Sequence, residues 1–356
     1  MKCVKIIEKL SQFHTASEDE LAELIDTIND EELEFLRKKA QATAQEHFGN
    51  KIFVRGLIEF SSYCKNDCLY CGLRRSNKKA VRYRLSKEQI MQCCKQGYEL
   101  GFRTFVLQGG EDSYFDDDKM CEIVKAIRSD FSDCAITLSL GERSPESYQR
   151  LFDSGADRYL LRHETANEEH YNKLHPSEMS LKNRKSCLFK LKEIGYQTGA
   201  GFMVGSPYQT TQTLVEDLMF LKELKPQMCG IGPFIHHKDT PFASENDGSV
   251  RQCLILLSII RLMHPSILLP ATTALGTADK FGREMGVLHG ANVVMPNLSP
   301  RAHRSDYSLY DNKICTGDEA AECIKCMSNR MKKIGYMLTV DRGDYKEKFG
   351  EDNVQV

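Results

Sequence analysis

The chain runs Ile52-Phe53-Val54-Arg55-Gly56-Leu57-Ile58-Glu59-Phe60 into Ser61-Ser62-Tyr63-Cys64-Lys65-Asn66-Asp67-Cys68-Leu69-Tyr70-Cys71. The first half is an apolar run of β-formers; the second is a polar loop with three cysteines. A strand that empties into a loop of chemical character is one βα unit, and the pattern repeats downstream. Seven more β-rich runs follow, at 104–108, 135–140, 159–163, 198–204, 228–234, 267–273 and 292–295. Stretches of helical period separate them, at 87–100, 117–129, 145–153, 181–194, 211–224, 249–263 and 279–289. Such alternation predicts a parallel α/β sheet, and eight repeats predict a closed (β/α)8 TIM barrel. Residues 1–50 read as an N-terminal helical lead-in packed on the barrel, with Ser17 as N-cap before Glu18-Asp19-Glu20. Residues 51–356 read as one barrel domain ending in a cysteine-bearing segment.

The formal charge is −2, so the chain lacks the basic footprint of a nucleic-acid binder. Its longest apolar run, Cys253–Ile260, is too short to span a membrane. Met1-Lys2-Cys3-Val4-Lys5 opens an amphipathic helix, not a signal peptide. These features predict a cytoplasmic protein with no nucleic acid and no membrane among its partners. Fourteen cysteines in a reducing compartment read as metal ligands plus buried thiols. Eight are scattered through apolar patterns (Cys3, Cys93, Cys94, Cys121, Cys134, Cys187, Cys229 and Cys253) and read as small core hydrophobes.

Cys64, Cys68 and Cys71 have C-x3-C-x2-C spacing. Structural zinc takes four protein ligands, and no His or fourth Cys lies at a useful offset. Three soft thiolates suit three corners of a 4Fe-4S cluster, with the fourth iron open. An open iron can chelate an amine and a carboxylate. This is the arrangement of radical S-adenosylmethionine (SAM) enzymes, in which a reduced cluster cleaves SAM to a 5′-deoxyadenosyl radical. Tyr70, an aromatic residue before the last cysteine, also fits that pattern.

Barrel active sites sit at the C-terminal ends of strands. The second run ends in Gln108-Gly109-Gly110-Glu111, where glycines admit close backbone approach. In radical SAM enzymes the matching Gly-Gly-Glu binds the SAM amino group. Arg162 and Glu164 share one side of the fourth strand and could hold a carboxylate and a ribose or ammonium; an ordinary ion pair is the alternative. Arg184 is a further carboxylate candidate, whereas His163 points toward the helices. Thr137 and Ser139 share a face of the third strand, and Thr272 and Thr273 add hydroxyls on the seventh. Beyond the last strand stand Tyr307, Tyr310 and a second group, Cys315-x7-Cys323-x2-Cys326. That group could hold an auxiliary cluster or a zinc ion, or be free thiols.

The strand segments in order resemble the HydE family of radical SAM maturases of iron-only (FeFe) hydrogenase. The resemblance rests on Ile58–Ser61 leading into Cys64–Arg75, Val106–Asp112, Thr137–Glu142, Asp157–Thr165, Gly230–Phe234, Pro270–Gly276 and Met295–Asn297. It implies a complete barrel, a 4Fe-4S cluster on Cys64, Cys68 and Cys71, and SAM contacts from Arg162, Glu164 and Arg184. Thr137 and Ser139 then fall on the adenosine side, and Gln108, Thr272, Thr273 and Tyr307 on the substrate cavity. Cys315, Cys323 and Cys326 match the ligands of a peripheral second iron–sulfur cluster (2Fe-2S or 4Fe-4S) that some members lack. The implied role is assembly of the diiron cofactor (H-cluster) from a small organometallic iron–carbonyl–cyanide–cysteine substrate. The implied partners are a flavodoxin or ferredoxin reductant, a sister radical SAM maturase and a GTPase scaffold maturase, in an anaerobic cell. Gly109 departs from a familiar serine, and Phe202 from a familiar small residue.

Biotin synthase and methylornithine synthase are the competing readings. Biotin synthase needs a second cluster inside the barrel, and the extra cysteines here lie beyond it. Methylornithine synthase differs mainly in substrate. A non-catalytic iron–sulfur carrier would need no Gly110-Glu111 or Arg162/Glu164.

Overall fold

The computed structural model describes residues 2–317 and 320–347. Three helices lead in: α1 (Lys2–Phe13), α2 (Glu18–Thr27) and α3 (Asp30–Phe48). Ser17 caps α2 in a capping box with Glu20, and Asn29 repeats the device on α3 with Glu32.

β1 (Lys51–Val54) and β2 (Gly56–Ser61) form one strand bent at Arg55. β3 (Thr104–Gly109), β4 (Ala135–Ser139), β5 (Arg158–Leu160), β6 (Gln197–Ala200), β7 (Met203–Val204), β8 (Met228–Cys229), β9 (Gly232–Pro233) and β10 (Val293–Val294) follow. The order β2-β3-β4-β5-β6-β8 is parallel throughout. Parallel bridges Met228↔Leu268 and Pro270↔Val293, with Phe53↔Val293, carry the ring back to its first strand. The barrel is therefore closed. Its seventh strand is reduced to bridges at Leu268 and Pro270, because proline has no N–H for a ladder. β7 and β9 continue the fifth and sixth strands above a break where Gly201 meets Gly230: a Cβ on Gly201 would lie 2.1 Å from the Gly230 carbonyl.

The helical layer is α4 (Lys87–Glu99), α5 (Asp117–Asp130), α6 (Pro145–Asp153), α7 (Glu168–Leu174), α8 (Leu181–Ile194), α9 (Thr211–Leu224), α10 (Val250–Met263), α11 (Thr273–Ala278) and α12 (Gly282–Leu288). A short α13 (Arg301–Arg304) and α14 (Ala320–Lys333) come after the last barrel strand. The lead-in buries Leu21, Leu24, Leu36 and Ala40 against this layer, α2 on α9 and α3 on α10. The eight scattered cysteines are all buried, as their apolar surroundings predict.

A last strand, β11 (Met337–Thr339), pairs parallel with β1 at the N-terminal end of the barrel. Arg342 and Asp344 then close that end: Arg158, fully buried on β5, donates to the Arg342 carbonyl and the Asp344 carboxylate at 2.7 Å each. The site must therefore be reached from the other end, where β2 to β5 deliver their loops.

Candidate active site

The cysteine loop is held before any ligand arrives. Asp67 accepts from Arg74 Nε at 2.8 Å and from the Ser76 amide at 2.9 Å and hydroxyl at 2.6 Å. The Leu69 amide donates to the Leu174 carbonyl and the Arg75 amide to the Asn66 carbonyl, both at 2.9 Å. Arg82 spans beneath, donating to the Leu73 and Arg74 carbonyls. Burial pushes the three thiols up, Cys71 to about 12, so ligation must displace their protons. Among the described residues no three His, Cys, Asp or Glu side chains converge on a point that would hold a single ion. Three thiols in one loop are the soft donor set that a 4Fe-4S cluster takes.

Gly110 owes its identity to this loop. A Cβ there would lie 2.1 Å from the Tyr63 carbonyl and 2.8 Å from Cys64 Cβ. At Gly109 it would meet the Phe60 ring at 2.8 Å. Sequence reasoning gives these glycines to ligand approach; both line the cavity, and their missing Cβ also lets β3 sit against the cysteine loop. Phe202 is fully buried beside His163 and does not line the cavity. His163 itself bonds Asp217 Oδ1 at 3.2 Å, a core histidine as expected.

Cys64, Cys68, Tyr70, Cys71, Gln108, Gly109, Gly110, Glu111, Ser139, Arg162, Glu164, Arg184, Thr272 and Tyr307 line one cavity of about 300 Å³ at the barrel mouth. Thr137 lies outside that lining, buried with its hydroxyl unpartnered. Thr273 lies outside it too: it opens α11, and its hydroxyl accepts from Arg283 Nη2. Thr272, read as a strand residue, is the N-cap of that helix. Arg283 also reaches Cys315 Sγ at 3.6 Å, and Cys326 is exposed on α14. The Cys323 side chain lies outside the described residues.

The charged groups facing the cavity are incompletely satisfied. Arg162 and Glu164 approach to 3.1 Å, yet Arg162 Nε and Nη2 and Glu164 Oε2 are buried without a hydrogen bond. Arg184 Nε lies 3.0 Å from Glu142 Oε1, and neither atom is hydrogen-bonded. Glu111 is 3.3 Å from Lys65 Nζ and 4.0 Å from Arg184. Glu164 adopts φ +67°, a strained backbone for a non-glycine residue. Buried ionic groups that pair without hydrogen bonds, gathered beside one cavity, point to a polar, charged ligand. Glu142 was not singled out from sequence; its signal was a carboxylate just past a strand end. Glu59, Asn297 and Lys313 were missed as well. They form a buried group in which Glu59 accepts from Lys313 Nζ at 2.6 Å and Asn297 Nδ2 at 2.8 Å.

Residues 58–221 match the radical SAM superfamily. The FeFe hydrogenase maturase subunit HydE of Thermotoga maritima is 44% identical over 97% of this chain and 98% of its own. The chain belongs to the HydE family. It is a radical SAM enzyme, and that superfamily uses a 4Fe-4S cluster with SAM. The 3-methylornithine synthase of Methanosarcina acetivorans is 29% identical over 92% of each chain. A methylornithine synthase crystal structure superposes with a TM-score of 0.83 at 27% identity, covering 94% of this chain and 97% of that one. The HydE cofactors fit this chain's residues: three thiols line the cavity together with Arg162, Glu164 and Arg184, whose buried polar atoms include several without a hydrogen bond.

Proposed function

We propose that this chain cleaves SAM reductively and acts on an iron–carbonyl–cyanide–cysteine precursor during assembly of the FeFe hydrogenase diiron cofactor. The observation that carries it is the cavity that Cys64, Cys68 and Cys71 share with Arg162, Glu164 and Arg184, ionic side chains with buried atoms that make no hydrogen bond. Cys64, Cys68 and Cys71 would hold the cluster, which with SAM supplies the one-electron cleavage of a sulfonium. The chain's own residues bind and orient. Arg162 offers a guanidinium whose Nε and Nη2 make no hydrogen bond to a carboxylate, and Glu164 an acceptor to ribose hydroxyls. Glu111 and the glycines before it receive an ammonium. Ser139 takes the adenosine side, with Thr137 as the buried hydroxyl behind it. Gln108, Thr272 and Tyr307 shape the substrate end, where Gln108 Nε2 lies 3.4 Å from the Tyr307 hydroxyl. Tyr70, bonded to His175 Nε2 at 3.2 Å, closes the loop side against water. Thr273 supports this end from outside through Arg283.

The partners follow from the same reading: a flavodoxin or ferredoxin, the sister maturase and the GTPase scaffold, in an anaerobic cytoplasm. Among the described residues no helix is long and apolar enough to cross a membrane. A second cluster on Cys315, Cys323 and Cys326 would be peripheral, since neither Cys315 nor Cys326 lines the cavity. Replacing those three should leave deoxyadenosine production intact.

The test is anaerobic reconstitution, reduction with dithionite and assay of 5′-deoxyadenosine, beside a Cys64/Cys68/Cys71→Ala variant. Production that depends on the cysteines supports the chemistry. Hydrogenase activation in extracts holding the other two maturases then tests the substrate. Methylornithine formed from lysine would assign the competing function.

A further inference from the structure

The turn after α7 clasps the cysteine loop. α7 stops at Leu174 because Pro176 follows: the residue before a proline is driven extended, and His175 has φ −125° and ψ 154°. The Leu174 carbonyl accepts the Leu69 amide at 2.9 Å, and Met179 Sδ lies 3.8 Å from Cys68 Sγ. Glu178 pairs with Arg75 at 3.3 Å, but both are exposed and such a pair holds little. The buried contact is made by His175, 3% exposed, whose Nε2 meets the Tyr70 hydroxyl at 3.2 Å.

The ring's other nitrogen sets the direction of this bond. His175 Nδ1 lies 3.0 Å from the Tyr171 carbonyl, which can only accept. Nδ1 therefore carries the proton, Nε2 is a bare acceptor, and the Tyr70 O–H donates to it. Burial holds the imidazole well below its ordinary value, at about 3, so the ring is neutral in this tautomer. Stacking on the Tyr171 ring, with centroids 3.9 Å apart, fixes its plane.

Tyr70 depends on that acceptor. Its ring lines the catalytic cavity and rests on the apolar group of Leu174, Met203, Phe234 and Phe242. The other acceptors lining the same cavity include Glu164 and the sulfurs of Cys68 and Cys71. A phenol has one proton to donate. We propose, resting on the assignment of the cluster to Cys64, Cys68 and Cys71, that His175 is a positioning residue for the SAM site: it takes the Tyr70 proton and so leaves Glu164 and the thiolates to the cofactors. Without it the hydroxyl turns to one of those groups or stays buried and unpaired beside them, and either state opposes SAM binding.

The test reads SAM affinity by calorimetry on the reconstituted protein. His175→Phe keeps a ring against Tyr171 and removes the acceptor, while the Tyr171 carbonyl still accepts the backbone amide of residue 175 at 3.0 Å. SAM binding should weaken about tenfold. Adding Tyr70→Phe deletes the misdirected hydroxyl, so the double variant should bind SAM as tightly as Tyr70→Phe alone. A histidine that merely fills space gives no such rescue. His175→Gln returns an acceptor and should stay within about threefold of wild type. His175→Asn is too short to reach Tyr70 and should lose affinity as His175→Phe does; it replaces that variant if His175→Phe does not fold. Unchanged affinity in these two variants would overturn the proposal, and so would a loss that Tyr70→Phe does not repair. Hydrogen exchange at the Leu69 amide, read before reconstitution, should be faster in His175→Phe and restored in His175→Gln. If the wild type takes up no cluster, the cluster assignment alone fails. Leu69 exchange then still decides whether His175 holds Tyr70, and equal rates in wild type and His175→Phe would overturn that hold.

Discussion

Gly110 is glycine by contact. Its Cβ would sit 2.1 Å from a backbone carbonyl and 2.8 Å from the carbon bearing the first thiol. Neither neighbour is a flexible side-chain end. Gly110→Ala should therefore displace the cysteine loop, and iron bound after reconstitution should fall well below wild type at similar thermal stability. Gly109→Ser meets a Phe60 ring that can give, so it should be the milder change. Across the cavity, Arg162→Ala removes a guanidinium that makes no hydrogen bond at Nε or Nη2. A charge-assisted bidentate contact contributes about 1.5–3 kcal/mol, so SAM dissociation should rise about 10- to 100-fold, read by calorimetry on the reconstituted protein. Unchanged affinity would remove Arg162 from the site. These residues were legible because strand alternation places Arg162 and Glu164 on one side, and the cysteine spacing stands alone. Glu59 and Lys313 were not, because 254 residues separate the partners and only the closed barrel joins them.

The elements were legible where one physical signal dominated. Pro145–Asp153, Leu181–Ile194 and Thr211–Leu224 are helices over the residues their periodicity predicts. Thr272-Thr273 misled because threonine both forms strands and caps helices; here Thr272 accepts from the Leu275 amide and starts α11. β8, β9 and β10 are only two residues each, since glycine and proline interrupt their ladders. The irregular segment after α13 showed no period in the sequence, and only Tyr307 and Tyr310 stood out in it; it carries Tyr307, Leu309 and Tyr310 to the cavity. It is tied down by Lys313, which donates to Glu59 at 2.6 Å and to the Tyr307 carbonyl at 2.9 Å. Burial raises the Glu59 carboxyl, and Lys313 and Asn297 act against that rise. Lys313→Met should cost about 3 kcal/mol, as breaking a buried pair does, with the loss concentrated in this connection. Its amides, such as Asp311 bonded to the His236 carbonyl, should exchange with deuterium faster. An unchanged exchange rate would show that other contacts hold the segment.

At the scale of the molecule, the barrel has one end for chemistry and one for closure, and different forces build them. The reactive end keeps ionic groups that pair without hydrogen bonds beside its cavity. The closed end spends its charges on itself. Arg158 is fully buried there, bonded to Thr104, the Arg342 carbonyl and Asp344, while Arg342 also reaches Asp157 and Asp344. Gln197 donates to Asp344 as well, at 2.9 Å. Burial would raise the Asp344 carboxyl, but Arg158, Arg342 and Gln197 outweigh it and hold the group below its ordinary range. A depressed folded-state value means stability that is fully present above the unfolded carboxyl's value, about 3.9, and lost as pH falls through the lower folded value. Asp344→Asn keeps the shape but strands the Arg158 charge, so it should destabilise by about 3 kcal/mol at neutral pH. Its melting temperature should also fall less between pH 5 and pH 3 than the wild type's, because the group that titrates is gone. The cavity lies at the opposite end, so SAM affinity at neutral pH and low temperature should be unchanged. A variant that melted like the wild type at pH 7 would mean that β11 and the apolar core close the barrel without this network.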